Sequence, residues 1–171
     1  MAGTLFDGVV ETDYGQFDLL WCDAMGFDGD FDRFFAEQVN SLVGAGDPDG
    51  VYVHFGRRSG GSYVRIEPRG GEPPLEDEWE DIVEVPISVP AGAELRWESR
   101  AGDTSGPLGP LPVGTCRVRV CARGRDNRHD GEFADVTVDF YLIQMWAAPD
   151  AIIRVGSADA EYWHKEIGGR R

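Results

Sequence analysis

The chain has 171 residues and a formal net charge of −15, with 31 acidic against 16 basic residues, and 42% of it is hydrophobic. That length, with nine Phe, five Trp and five Tyr, supplies one packed domain spanning residues 1–171 and excludes a disordered chain. The charge excludes direct binding to nucleic acid or anionic lipid, which needs clustered Lys or Arg, and favours a basic protein as partner.

In chain order, "VVETDYGQFDLLW" (Val9 to Trp21) reads as a strand or a bent pair of strands with Gly15 as a bulge. "GFDGDFDRFFAEQVNSLVGAG" follows, and Phe31, Phe34, Phe35, Val39, Leu42 and Val43 recur at spacings of three and four. The spacing predicts an amphipathic helix of about 13 residues, ~20 Å long, with Asp30 as N-cap, Asp32 in the first turn and Gly44 at its end. "GDPDG" (Gly46 to Gly50) is turn chemistry. "VYVHF" and "SYVRIE" flank "GRRSGG", so residues 51–67 read as a hairpin with a basic tip. "PRGGEPPLEDEW" is a loop, and "DIVEVPISV" (Asp81 to Val89) a strand that Pro86 pushes towards an edge or a bulge. "AELRWES" is a strand and "AGDTSGPLGPLPVG" a Gly/Pro loop. "TCRVRVCAR" alternates, with Cys116, Val118 and Val120 on one face and Arg117, Arg119 and Cys121 on the other. "VTVDFYLIQMWAA" is apolar on both faces and suits a central strand. The tail is expected to give a short strand and a helical turn. Together these elements predict a mainly β chain, an antiparallel β-sandwich of about seven strands with one amphipathic helix near the N-terminus.

The expected setting is the cytoplasm. No apolar run approaches the roughly 20 residues that cross a bilayer, no basic leader precedes an apolar stretch, and three cysteines do not form a disulfide framework.

Asp28, Asp30 and Asp32 alternate as in a calcium loop. Counted from Asp28, however, Arg33 stands where that loop needs Gly, and Val39 where it needs a bidentate Glu. A helix entry explains the spacing better. His54, His129 and His164 share no metal-ligand spacing with the cysteines, and "RHD" (Arg128 to Asp130) places neighbours that rarely face one another in a loop. No nucleophile elbow, phosphate loop, dinucleotide fingerprint or zinc-protease motif occurs. No metal, cofactor or catalytic residue is therefore assigned, and the chain is expected not to be an enzyme.

"LEDEWED" sets Trp79 among Glu76, Asp77, Glu78, Glu80 and Asp81. Those six residues are the candidate partner-binding site, with the carboxylates steering a basic protein and Trp79 as anchor. The bland alternative is that Trp79 tucks into the core beneath the loop.

"TDYGQFDLL", "GPLPVGTCRVRVCARG" and "DFYLIQMWAAP" resemble, in order along most of the chain, the competence protein J family, whose members are known as DNA-entry nuclease inhibitors. The likeness is greater still to a group of uncharacterised actinobacterial proteins with the same Tyr-Gly-Gln, acidic-Trp, Leu-Pro-x-Gly and Tyr-Leu-Ile/Leu-Gln landmarks. Cys116 departs from the aromatic common at that place, and the tail beyond Pro149 is longer. The resemblance implies a cytoplasmic, non-enzymatic inhibitor or immunity-like protein whose partner is basic, such as a nuclease, and it carries no site residues. Two other readings stay open. One is a sandwich that binds a sugar or small molecule beside exposed Trp21, Trp97 or Trp146. The other is a hydrolase using a carboxylate pair of raised pKa.

Overall fold

The computed structural model describes residues 3–23, 25–37, 40, 42–99, 104–127 and 135–149, and the backbone of 154–155. The chain is mainly β, two mostly antiparallel sheets packed face to face. Sheet A has the order β1 (Phe6–Asp13), β5 (Ser59–Pro68), β10 (Phe140–Ala147), β9 (Gly114–Arg123), β6 (Asp81–Val89), β11 (Arg154–Val155). Sheet B has the order β3 (Val43–Gly44), β4 (Gly50–His54), β2 (Gln16–Leu20), β7 (Glu94–Ser99), β8 (Thr104–Pro110).

Period-two alternation decides what each sheet buries. One row of sheet A runs Val83, Val120, Ile143, Ile66 across four strands, all facing the core. From sheet B, Phe17, Leu19, Val51, Val53 and Leu95 face it. Aromatic rings bridge the two layers, with Phe55 stacked on Phe17 at 5.3 Å and on Tyr141 at 4.0 Å between centroids. Fully burying each of these large apolar side chains contributes roughly 1.5–3 kcal/mol.

β10 is the expected central strand, antiparallel to β9 and parallel to β5. β6 carries Pro86 where it has become an edge, because β11 meets only Val83 and Glu84. The bent pair near the N-terminus is β1 and β2, which leave for different sheets at Tyr14 and Gly15, both with positive φ.

Three local readings are corrected. The helix α1 is Phe31–Phe34, one turn rather than about 13 residues, although Asp30 does cap it by accepting from the Arg33 N–H at 3.0 Å. The chain turns back on the helix: Gly46 donates to the Phe34 carbonyl at 2.7 Å, and a Cβ on Gly44 would sit 2.7 Å from that same oxygen. Gly44 thus lies in β3, not at a helix end. Residues 51–67 are not a hairpin, since β4 pairs with β2 and β3 while β5 pairs with β1 and β10. The Gly/Pro segment after β7 forms β8, an edge strand bulged opposite Leu95 and Arg96, where prolines sacrifice no inner pairing. The expected helical turn in the tail lies outside the described residues, as do Arg128 to Asp130, His129 and His164.

Candidate partner-binding surface

Below the core, sheet A turns a polar row outward: Glu84, Arg119, Gln144 and Glu67 on neighbouring strands, every one buried. Glu84 accepts from Arg117 Nε and Arg119 Nε, each at 2.8 Å, and Arg119 Nη2 stands 2.7 Å from it. Burial pushes the Glu84 carboxyl up, and the two guanidiniums more than reverse that, holding it below the usual carboxylate range. Arg119 also lies over the Trp146 ring at 5.1 Å. The alternation of "TCRVRVCAR" had already put Arg117 and Arg119 on one face; that they are buried there has no signal in the sequence.

This row holds the acidic loop. Arg119 Nη1 donates to the carbonyls of Pro73 at 2.7 Å and Pro74 at 3.3 Å. Six residues after Pro74, the Glu80 N–H donates to the Ala122 carbonyl at 3.0 Å, and Gly124 N–H to the Glu80 carboxylate at 2.8 Å. Between these ends Arg123 pairs with Glu78 at 2.6 Å while its guanidinium stacks over Trp79 at 5.4 Å and Phe140 at 4.9 Å. Trp79 Nε1 donates to Glu76 at 3.4 Å.

Of the six residues proposed from sequence, Glu76, Asp77, Glu78 and Glu80 are exposed and Trp79 is half-buried. Asp81 is not on this surface. It is 0% exposed, faces inward at the head of β6 and pairs with the buried Arg125 at 3.5 Å. Alternation along the strand sends it to the core side, where the equally buried Arg125 is an ion-pair partner. Leu75, 64% exposed beside Glu76, joins the loop as an apolar group that the sequence reading passed over.

The other acidic segment lies across the sandwich. On the outer face of sheet B, Tyr52 is stacked on Phe27 at 3.9 Å and met edge-on by Phe34 and Phe35. Here the carboxylates bond to the backbone around them: Asp28 accepts from the Asp30 N–H, Asp30 from Arg33 and Asp47 from Asp49. Asp18 accepts from Gln16 Nε2 at 2.8 Å and from the Phe27 N–H at 3.0 Å. Burial pushes its carboxyl up to about 6, those two bonds opposing and Glu98 and Asp47 adding to the rise.

The two arginines of "GRRSGG" differ, Arg57 inward and Arg58 exposed. Arg57 is buried, donating to the carbonyls of Ser59, Gly61 and Val136, while Arg58 lies over Tyr14. A Cβ on Gly60, at φ +114°, would fall 2.4 Å from Arg57 Nη2, so the glycine makes room for the arginine. Cys22, Cys116 and Cys121 are free thiols, the last two buried on opposite faces of β9. The rings named for a sugar cleft do not form one: Trp21 and Trp146 are buried, and Trp97 packs against the core with Phe6 and Phe17. Among the described residues the two carboxyls pushed up by burial, Asp18 and Asp139, belong to different parts of the fold. Asp139 is enclosed by Ser62, Tyr141 and the Arg57 N–H just before β10. Among the described residues no helix is long and apolar enough to cross a membrane.

No protein-family model matches the sequence, and no curated protein matches it. Two solved structures do match in fold. One is the crystal structure of ComJ from Bacillus subtilis, described as an inhibitor of the DNA-degrading activity of NucA: TM-score 0.59 and 19% identity, over 86% of this chain and 99% of that one. The other is the crocagin biosynthetic protein J, with TM-score 0.58 and 14% identity, over 87% of this chain and 99% of that one. The ComJ-like fold expected from the sequence landmarks is the fold of this chain.

Proposed function

We propose that this chain is a non-enzymatic, single-domain cytoplasmic module that binds a basic protein through the loop Glu76–Glu80, and that a nuclease is such a partner. The observation that carries the reading is the loop itself. Its two ends are fastened to an arginine-bearing sheet face, and Glu76, Asp77, Glu78 and Glu80 stay exposed between them. A nuclease groove is basic because it binds phosphates, so a rigid row of carboxylates can occupy it. The carboxylates speed encounter; affinity comes from desolvated anchors, and Leu75 and Trp79 are the groups placed to act as such. The fold shared with an inhibitor of a DNA-degrading enzyme supports the choice of partner class, and three free thiols fit a reducing compartment.

The test is association with a DNA-degrading protein retained from native cytosol on the immobilised chain. Glu76→Lys with Asp77→Lys leaves the Glu78 and Glu80 contacts intact. It should slow association about tenfold or more at low salt, and the difference should shrink as salt screens it. Binding by the double variant equal to the parent's at every salt concentration would remove this loop from the interface.

A further inference from the structure

On the opposite side, above sheet B, lies a cavity of about 250 Å³ whose apolar wall is Leu20, Met25 and Phe34 and whose charged rim is Asp28, Asp47 and Asp49. We propose that this cavity is a receptor for an arginine side chain of a basic partner protein, and that in the free chain Arg33, in its wall, pairs with two of the rim aspartates that the newcomer would engage. The inference shares with the loop reading only the premise that the partner is basic; its surface is separate.

The chain's own guanidinium shows which groups a planar cation engages here. Arg33 Cζ lies 4.9 Å above the Phe34 ring, while Nη2 is 3.0 Å from Asp28 Oδ2 and 3.6 Å from Asp47 Oδ2. A ring beneath and carboxylates at the edge are what a planar cation takes and a compact ammonium uses less well. Three carboxylates against one guanidinium leave the site negative with Arg33 in place.

Arg33 is also poorly held. Its side chain is 47% exposed, and exposed ion pairs contribute little, so an incoming arginine can replace it. At the rim Met25 is 88% exposed, an unbranched, polarizable side chain able to cover the methylene stem of the newcomer. The aspartates meanwhile keep their local work through their other oxygens: Asp28 Oδ1 accepts from Asp30 and Asp47 Oδ1 from Asp49.

The experiment is a titration of the isotope-labelled full chain with a peptide of three arginines spaced by glycines, beside its lysine counterpart. It is read from the amide shifts of Gly26, Phe34 and Gly46 and from the Met25 methyl. The arginine peptide should shift these signals and the lysine peptide should bind more weakly. Arg33→Gln should tighten binding threefold or more by removing the resident competitor. Asp28→Asn with Asp47→Asn keeps both Oδ1 acceptors and should weaken it fivefold or more. Glu76→Lys with Asp77→Lys should leave these shifts as in the parent, so a failure of the loop reading does not touch this one. Shifts spread alike over both faces, unchanged affinity in Arg33→Gln, or parental binding by the asparagine pair would each overturn the proposal.

Discussion

Two acidic stretches that look alike in the sequence do opposite things. Residues 72–80 sit over a sheet face bearing buried arginines, and their carboxylates stay exposed while Glu72, Glu78 and Glu80 reach Arg119, Arg123 and the Gly124 N–H and Glu76 meets Trp79. In the segment that carries the Phe27, Phe31 and Phe34 rings, Asp28, Asp30 and Asp47 each accept from a backbone N–H as a cap or turn, and Arg33 pairs with Asp28 and Asp47. The lesson is that what lies beneath decides what an acidic run does. Over the arginine-bearing face, Arg119 holds the backbone of the run and its carboxylates stay exposed, whereas beside the aromatic rings the aspartates themselves bond the turning backbone.

Removing the floor breaks the comparison hardest. Glu84→Ala leaves two buried guanidiniums without their shared carboxylate, and should cost about 3–5 kcal/mol in urea unfolding. It should also loosen the loop, because Arg119 loses the partner that orients it towards Pro73. If the cost is under about 1 kcal/mol, within the range of exposed pairs, the buried triad is not what supports the loop.

A smaller effect separates the regions by pH. The folded chain holds the Asp18 proton up to about 6, more tightly than the ordinary value near 3.9 of an unfolded chain. Protonation therefore favours the folded state. The contribution is complete below about pH 4 and disappears as pH rises through 6, a swing on the order of 2–3 kcal/mol. Asp18→Asn should flatten that slope in urea midpoints measured from pH 4 to 7, with the acidic loop's behaviour unaffected. A slope that persists in the variant would assign it elsewhere.

The smallest is Asp30→Ala. Loss of the cap on so short a helix should cost about 1 kcal/mol, and amide exchange should quicken at Arg33 and Phe34 without change at Trp79. Equal quickening in both regions would mean that the two are not independent.

What could be read from sequence was what depends on near neighbours. The alternation at 116–122, the apolar stretch from Tyr141 and the Asp30 cap all appear as expected, because each is set by residues one to three positions apart. What failed depended on contacts across the chain. The apolar spacing at 31–43 serves two destinations: Phe34 and Phe35 join Tyr52 outside sheet B, while Leu42 and Val43 enter the main core. Strands β4 and β5 have the turn and the flanks of a hairpin, but each finds its partners elsewhere, which no local rule registers. The candidate loop was legible as charge around a tryptophan. Asp81 was misplaced because its mate, Arg125, lies 44 residues away.

The place of β10 has a consequence for synthesis. Sheet B draws on residues 16–110 alone, so its pairings become available as the chain leaves the ribosome. Sheet A instead exists as two separate pieces, β1 with β5 and β6 with β9, until residues 140–147 arrive between them. The parallel joint pairs Tyr63 with Phe140, a long closure of the kind that slows assembly. For that interval the nascent protein carries two open strand edges of matching hydrophobicity, the stage at which a chaperone has most to protect.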